Sequence, residues 1–264
     1  MLKSLYTSAT GMKAQQTMVD MIANNIANVN TSGFKKSQAS FEDLFYVTLQ
    51  APGLARGTGD DAVPIGTQIG SGTRLNGTTK VFTTGTLEIT ERSLDIAIDG
   101  EGFFSVTLPD GQTGYTRDGN FHLNADGKLV TGAGNVLVPE INVPSDTLEI
   151  SIDPEGRVSG RTAGSPDTST QFGQLNIHRF VNPSGMLAAG SNIMRVTEAS
   201  GAPTTGTPGS SGLGLLKQGF IERSNVQIVN ELVNLIVAQR AYEVNSKAIQ
   251  ASDQMLSTAT NLSR

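Results

Sequence analysis

"QTMVDMIANNIANVNTSGFKKS", residues 16–37, poses the problem of this chain. Asn24, Asn25, Asn28 and Asn30 fall within seven residues. Asn is a weak helix former because its side chain competes for backbone hydrogen bonds. The apolar residues around it nevertheless keep helical spacing. Leu5, Met12, Val19 and Ile26 recur at heptad intervals, and Ala9, Ile22, Ala23 and Val29 widen the stripe. The spacing predicts a helix over 3–29. Asn30-Thr31-Ser32-Gly33 reads as its stop, with Gly33 as a left-handed cap. Gly11 interrupts the helix at a cost of about 1 kcal/mol relative to Ala, which points to close packing there.

The other end repeats the design at greater length. Ile228, Leu232, Leu235, Gln239, Tyr242, Ser246, Ile249, Asp253 and Leu256 alternate in steps of three and four. Ser224 reads as the N-cap, and Gln227 closes a capping box. At ~1.5 Å per residue the two helices reach roughly 40 and 60 Å, too long for a compact domain. Helices of that length from opposite termini pair with each other or with other copies.

Charge decides what their outer faces meet. Residues 1–30 hold only Lys3, Lys13 and Asp20, and residues 224–264 only Glu231, Arg240, Glu243, Lys247, Asp253 and Arg264. A solvated helix carries many more, often as Glu–Lys pairs. Amides, hydroxyls and alanines instead suit burial against a neighbour, since they form hydrogen bonds without desolvating charge. On this reading Asn24, Asn25, Asn28 and Asn30 are interface amides. Leu5, Met12, Val19, Ile26, Ile228, Leu232, Leu235, Tyr242, Ile249 and Leu256 are the polymerisation stripe.

The middle has a different period. Residues 93–130 alternate apolar and polar positions, with Leu94, Ile96 and Ile98 on one face. Asp-Gly stands at 99, 110, 118 and 126, a hairpin signal when flanked by strands. Asp153-Pro154-Glu155-Gly156 adds another turn. Residues 93–197 therefore read as a central β domain, a sandwich or irregular barrel. Residues 50–73 and 199–216 read as loose, Gly/Pro-rich stretches. The expected class is α+β. It comprises an N-terminal helix (1–32), a connecting region (33–92), the β domain (93–197), a return linker (198–222) and a C-terminal helix (223–264).

Chemistry is sparse. The net charge of −5 offers no basic footprint for nucleic acid. Without cysteine there are no disulfides. His122 and His178 lie in predicted strands without a second ligand nearby, and Lys35-Lys36 reads as a solvated basic pair. No site for a metal or cofactor and no catalytic arrangement is read, so the expectation is a non-enzyme. No transmembrane segment or cleaved signal peptide is read either. That predicts a soluble chain which, if it leaves the cytoplasm, does so without a cleaved signal.

Three stretches carry a resemblance. "MLKSLYTSATGMKAQQTMVDMIANNIANVNTSGFKKSQASFEDL" (1–44) and "GLLKQGFIERSNVQIVNELVNLIVAQRAYEVNSKAIQASDQML" (214–256) resemble the terminal signatures of bacterial flagellar axial proteins of the rod and hook. "DIAIDGEGFFSV" (95–106) and "GYTRDGNFHLNADGKLVTGAGNVLVP" (114–139) resemble their central β domain. Hook members are usually much longer and proximal rod members usually shorter. Length therefore places the chain nearest the distal-rod branch, with hook or proximal rod as the alternative.

The resemblance implies a subunit whose terminal helices pair as an inner coiled coil lining a channel. Its copies stack into a straight helical tube that crosses the periplasm as a drive shaft. The implied partners are further copies, the proximal rod proteins, the hook protein, the outer-membrane and peptidoglycan rings, and the type III export apparatus. The family's export-gate motif falls on Phe41 and Phe45, for which an amphipathic core pair is equally compatible. A straightening segment, 46–66, has Leu49, Leu54, Val63 and Ile65 as its anchors.

Overall fold

A computed structural model describes residues 2–51 and 65–262. The chain folds as two compact units, one of residues 1–26, 37–79 and 228–264, the other of residues 27–36 and 80–227. Two terminal helices and a β-rich centre make the class α+β.

In the first unit, α1 (Leu2–Ala27) and α2 (Ile228–Leu262) have 26 and 35 residues. They run antiparallel with a fixed register. Ser4 Oγ lies 3.2 Å from Ser252 Oγ, and Asn25 Nδ2 lies 3.4 Å from Glu231 Oε2. A methyl group added at Gly11 would come within 3.0 Å of the Asn245 side chain. Each step along α1 between these contacts is matched by an equal step back along α2, all in multiples of seven. Ala14, Ile22, Ala238 and Ser252 are buried. The contacts at 231, 245 and 252 and the buried Ala238 lie one residue before the expected 232, 246, 253 and 239. Small and polar residues at these positions let the backbones approach, with Ile22 buried and Leu235, Ile249 and Leu256 half-buried among them, while Leu232, Val233, Ile236 and Val237 turn away.

Among the described residues, four strands complete the unit. β1 (Ser37–Asp43) pairs with β4 (Thr73–Lys80), and β2 (Val47–Gln50) pairs with β3 (Thr67–Ile69). The connecting region is thus partly sheet.

Both helix boundaries differ from expectation. Ser224 Oγ accepts from the Val226 N–H at 3.3 Å, a local turn that precedes α2 and does not cap it. α1 ends at Ala27. Gly33 does adopt φ +67°, but as a turn residue beyond the helix. Its N–H donates to Glu222 O at 2.8 Å, and a Cβ would meet Asp118 N at 2.6 Å. That crowding requires glycine.

The second unit begins with β5 (Leu87–Ile89) and β6 (Ile96–Asp99). β7 (Phe104–Thr107), β8 (Thr113–Thr116), β9 (Phe121–Leu123), β10 (Leu129–Thr131) and β11 (Val136–Val138) follow. Next come β12 (Thr147–Ile152), β13 (Arg157–Thr162), β14 (Ser165–Gln174) and β15 (Ile177–Arg179). The last strands are β16 (Leu187–Gly190), β17 (Ile193–Arg195), β18 (Thr204–Gly206), β19 (Leu215–Gln218) and β20 (Phe220–Glu222). One sheet has the order β16-β17-β8-β7-β11-β10-β9, and β12-β13-β14 form a second. Ile96, Ile98, Phe104, Val106, Phe121, Leu129, Ile152, Val158, Leu175 and Leu216 share one core. Phe103, Tyr115 and Phe180 form a second cluster of edge-to-face rings.

The return stretch 198–222 is no linker. β18, β19 and β20 pair with β15, β6 and β5, and Leu213 and Leu216 belong to the core. Of the Asp-Gly pairs, 110–111 and 126–127 turn the β7–β8 and β9–β10 hairpins. Asp99-Gly100 follows β6, whose partner is β19. Gly119 passes beside β6, where its carbonyl accepts from Ile96 N–H at 3.0 Å and a Cβ would fall 1.8 Å from Ile96 O.

Candidate functional site

The helical unit presents apolar surface along α2. Val229, Val233, Ile236, Val237, Val244 and Met255 are each more than half exposed in the single chain. Of the expected stripe, Leu5, Met12, Val19, Ile26, Leu235, Ile249 and Leu256 are half-buried, while Ile228, Leu232 and Tyr242 are exposed. A groove of about 430 Å³ lies between the helices, lined by Gln16, Val19, Gln239, Tyr242 and Glu243. Exposed apolar side chains gathered on one helix make it the candidate interaction face.

The amides divide. Asn25 is buried: its Oδ1 accepts from Ser37 N–H at 2.9 Å and its Nδ2 donates to Ser37 O at 3.0 Å. One carboxamide thus supplies both groups a neighbouring strand would, and fixes the start of β1 to α1. Asn25 therefore has no surface to offer another copy. Asn28 Oδ1 accepts from Thr31 Oγ1 at 3.2 Å, and Asn30 Oδ1 accepts from Arg223 Nη1 at 3.2 Å. Asn24 is exposed.

Phe45 is 93% exposed and Phe41 is also open to solvent, so the alternative of a core pair fails. Leu49 and Ile65 are exposed, beside Tyr46, Val47 and Ile69 on or next to β2 and β3. Leu54 and Val63 lie outside the described residues.

The second unit contains a group that the charge pattern concealed. Lys35 is fully buried, against the expectation of a solvated pair. Its Nζ lies 2.6 Å from Glu222 Oε1 and donates to Thr83 O at 2.7 Å. Glu222 Oε2 accepts from Arg117 Nε at 2.8 Å, and Oε1 also accepts from the Gly85 N–H at 2.7 Å. Arg117 donates further to Gly102 O at 3.0 Å and Gly100 O at 2.8 Å. Burial alone would raise the Glu222 carboxyl, but Arg117, then Lys35 and the Gly85 amide, hold it below the ordinary carboxylate range. Burial lowers the Lys35 ammonium despite the pull of Glu222. Lysine beside lysine before a strand carries no signal of burial, because its partner stands far away in sequence.

His178 Nδ1 is 2.9 Å from Thr205 Oγ1, and burial lowers its basicity, so it acts as a packed strand residue. Among the described residues no cluster of His, Asp and Glu suits a metal, and no helix is long and apolar enough to cross a membrane.

Three family models match the chain. Residues 5–35 match the flagella basal body rod protein family, residues 97–160 the flagellar hook protein FlgE/F/G D1 domain, and residues 217–262 the flagellar basal body rod FlgEFG protein C-terminal family. Flagellar basal-body rod protein FlgG of Buchnera aphidicola subsp. Schizaphis graminum is 47% identical over 262 residues, covering 99% of this chain and 100% of that protein. FlgG of Borreliella burgdorferi is 47% identical over 269 residues, covering the whole of both. The flagellar hook protein FlgE of Helicobacter mustelae is 44% identical over 141 residues, which is 52% of this chain and 30% of the hook protein.

Proposed function

Since the chain belongs to the FlgG family of flagellar basal-body rod proteins, we propose that its copies build the distal rod as a straight helical tube. The observation that carries this reading is full-length agreement with rod relatives, against agreement with less than a third of a hook protein. In this role α1 and α2 form an inner coiled coil around a channel. The exposed aliphatics of α2 are covered by α1 and α2 of neighbouring copies.

Contacts that repeat head to tail without closing generate a filament. Stiffness for transmitting torque comes from large, close-packed contacts. The tube spans the periplasm between the proximal rod proteins and the hook protein, inside the outer-membrane and peptidoglycan rings. Subunits reach its tip through the type III export apparatus, without a cleaved signal, and Phe41 and Phe45 are open to that recognition. Residues 46–66 wedge between copies and keep the tube straight, anchored by Leu49, Leu54, Val63 and Ile65. Electron microscopy of filaments grown from the purified chain tests the reading. Straight tubes are expected, and curved tubes would move the chain to the hook role.

A further inference from the structure

Lys35, Arg117 and Glu222 come from the beginning, middle and end of the second unit, and all three are buried. We infer that they form a completion latch: the segment 27–36, the first of the unit in chain order, docks on the unit only after the C-terminal strand β20 has delivered Glu222. The geometry gives the order. Among the described residues the charged partner of Lys35 Nζ is Glu222, and the Thr83 carbonyl to which it also donates is neutral. Arg117, the other cation, binds the same carboxylate. Without Glu222, docking this segment would bury two cations with no anion between them, a severe cost at low dielectric. Gly33 N–H likewise has the Glu222 carbonyl as its partner.

The central sheet has no such requirement, because all of its strands lie within 104–195. It pairs first, β19 and β20 then close on β6 and β5, and residues 27–36 lock last. For a rod subunit passed unfolded to its assembly site, a role resting on the reading above, the leading segment stays unattached until the trailing one arrives.

Hydrogen exchange on the full chain tests this. During refolding, the Gly33 amide should gain protection with or after the Leu216 amide, which donates to Pro154 O at 3.0 Å. Protection of Gly33 before Leu216 would overturn the latch. In Glu222→Gln, Gly33 protection should fall about tenfold or more while Val106 in the central sheet keeps its own. Lys35→Met added to that variant removes one buried cation and should restore most of it. Parental protection of Gly33 in Glu222→Gln, or a double variant no better than the single, would also overturn it. Should the single variant fail to fold, the double variant decides: folded with Gly33 protected supports the latch, unfolded refutes it. Filament formation, tested separately, bears on the rod reading and not on this order.

Discussion

Lys35 Nζ lies 2.6 Å from Glu222 Oε1 although the two residues are 187 positions apart, and both side chains are almost wholly withdrawn from water. The contact joins the exit from α1 to the approach to α2 on a single β body, within one unit. Surface ion pairs contribute little, whereas one partner lost from a buried pair leaves an uncompensated charge.

The pair sets a pH dependence. Glu222 is acidified by folding, so its stabilisation is fully present above its unfolded pKa and is lost as pH falls through the lower, folded pKa. Lys35 is also shifted down. Its cost is therefore present at neutral pH and is relieved as pH rises through its folded pKa towards the unfolded value. The urea midpoint of the β unit should be flat near neutrality and drop below about pH 4. In Glu222→Gln that acid limb should be shallower. Parallel acid limbs in the two proteins would show that Glu222 is not its source.

The helix register can be read with a crosslink, and the absence of cysteine makes the background clean. Ser4→Cys with Ser252→Cys places two thiols where the hydroxyls stand 3.2 Å apart. Mild oxidation of assembled protein should link them, and Ser8→Cys with Ser252→Cys should not link. Equal yields from the two pairs would reject the register.

Leu232→Asp should abolish polymerisation and leave the β unit folded. Leu232 is 44% exposed in the single chain, so a charge is tolerated there until a neighbour covers it. Burying an unpaired carboxylate then costs several kcal/mol. Sedimentation reports assembly and circular dichroism the fold. Normal filaments from this variant would remove Leu232 from the contact.

Deleting residues 52–66 should permit assembly but yield curved tubes. A passive loop shortened by this much changes closure entropy by less than about 1 kcal/mol, so any change of filament shape reports lost contacts. Straight filaments from the deletion variant, seen by electron microscopy, would make the segment passive.

Much of this fold is legible in sequence because it is periodic. The seven-residue spacing of Leu5, Met12, Val19 and Ile26 marks α1, and alternation around Ile96 and Ile98 marks the sheet. Asp110-Gly111 and Asp126-Gly127 state their hairpins locally, since each turn is made by its own residues. What was hidden depends on distant partners. Nothing near Lys35 announces Glu222, nothing near Gly119 announces the Ile96 carbonyl, and the strands within 198–222 find their partners far upstream. The helix stripe was misplaced by one residue at alternate positions, because apolar periodicity marks the largest side chains. The seam instead selects Gly11, Ala238, Asn245 and Ser252 for size and hydrogen bonding.

That choice makes the helix pair inside-out. Ala238 has 0% exposure while Val229 has 74%, so α2 gives the seam several of its small residues and presents many of its large ones outward. A lone subunit gains little by forming such a pair, since isolated helices are marginal in water and Val229, Val233, Ile236, Val237 and Val244 stay wet. If copies stack as proposed, the same surface is covered as it forms at a growing tip. Ordering of the helices and addition to the tip then become one event, templated by subunits already in place. Growth should accordingly show a nucleation barrier and a critical concentration, with free subunits persisting below it instead of condensing at random.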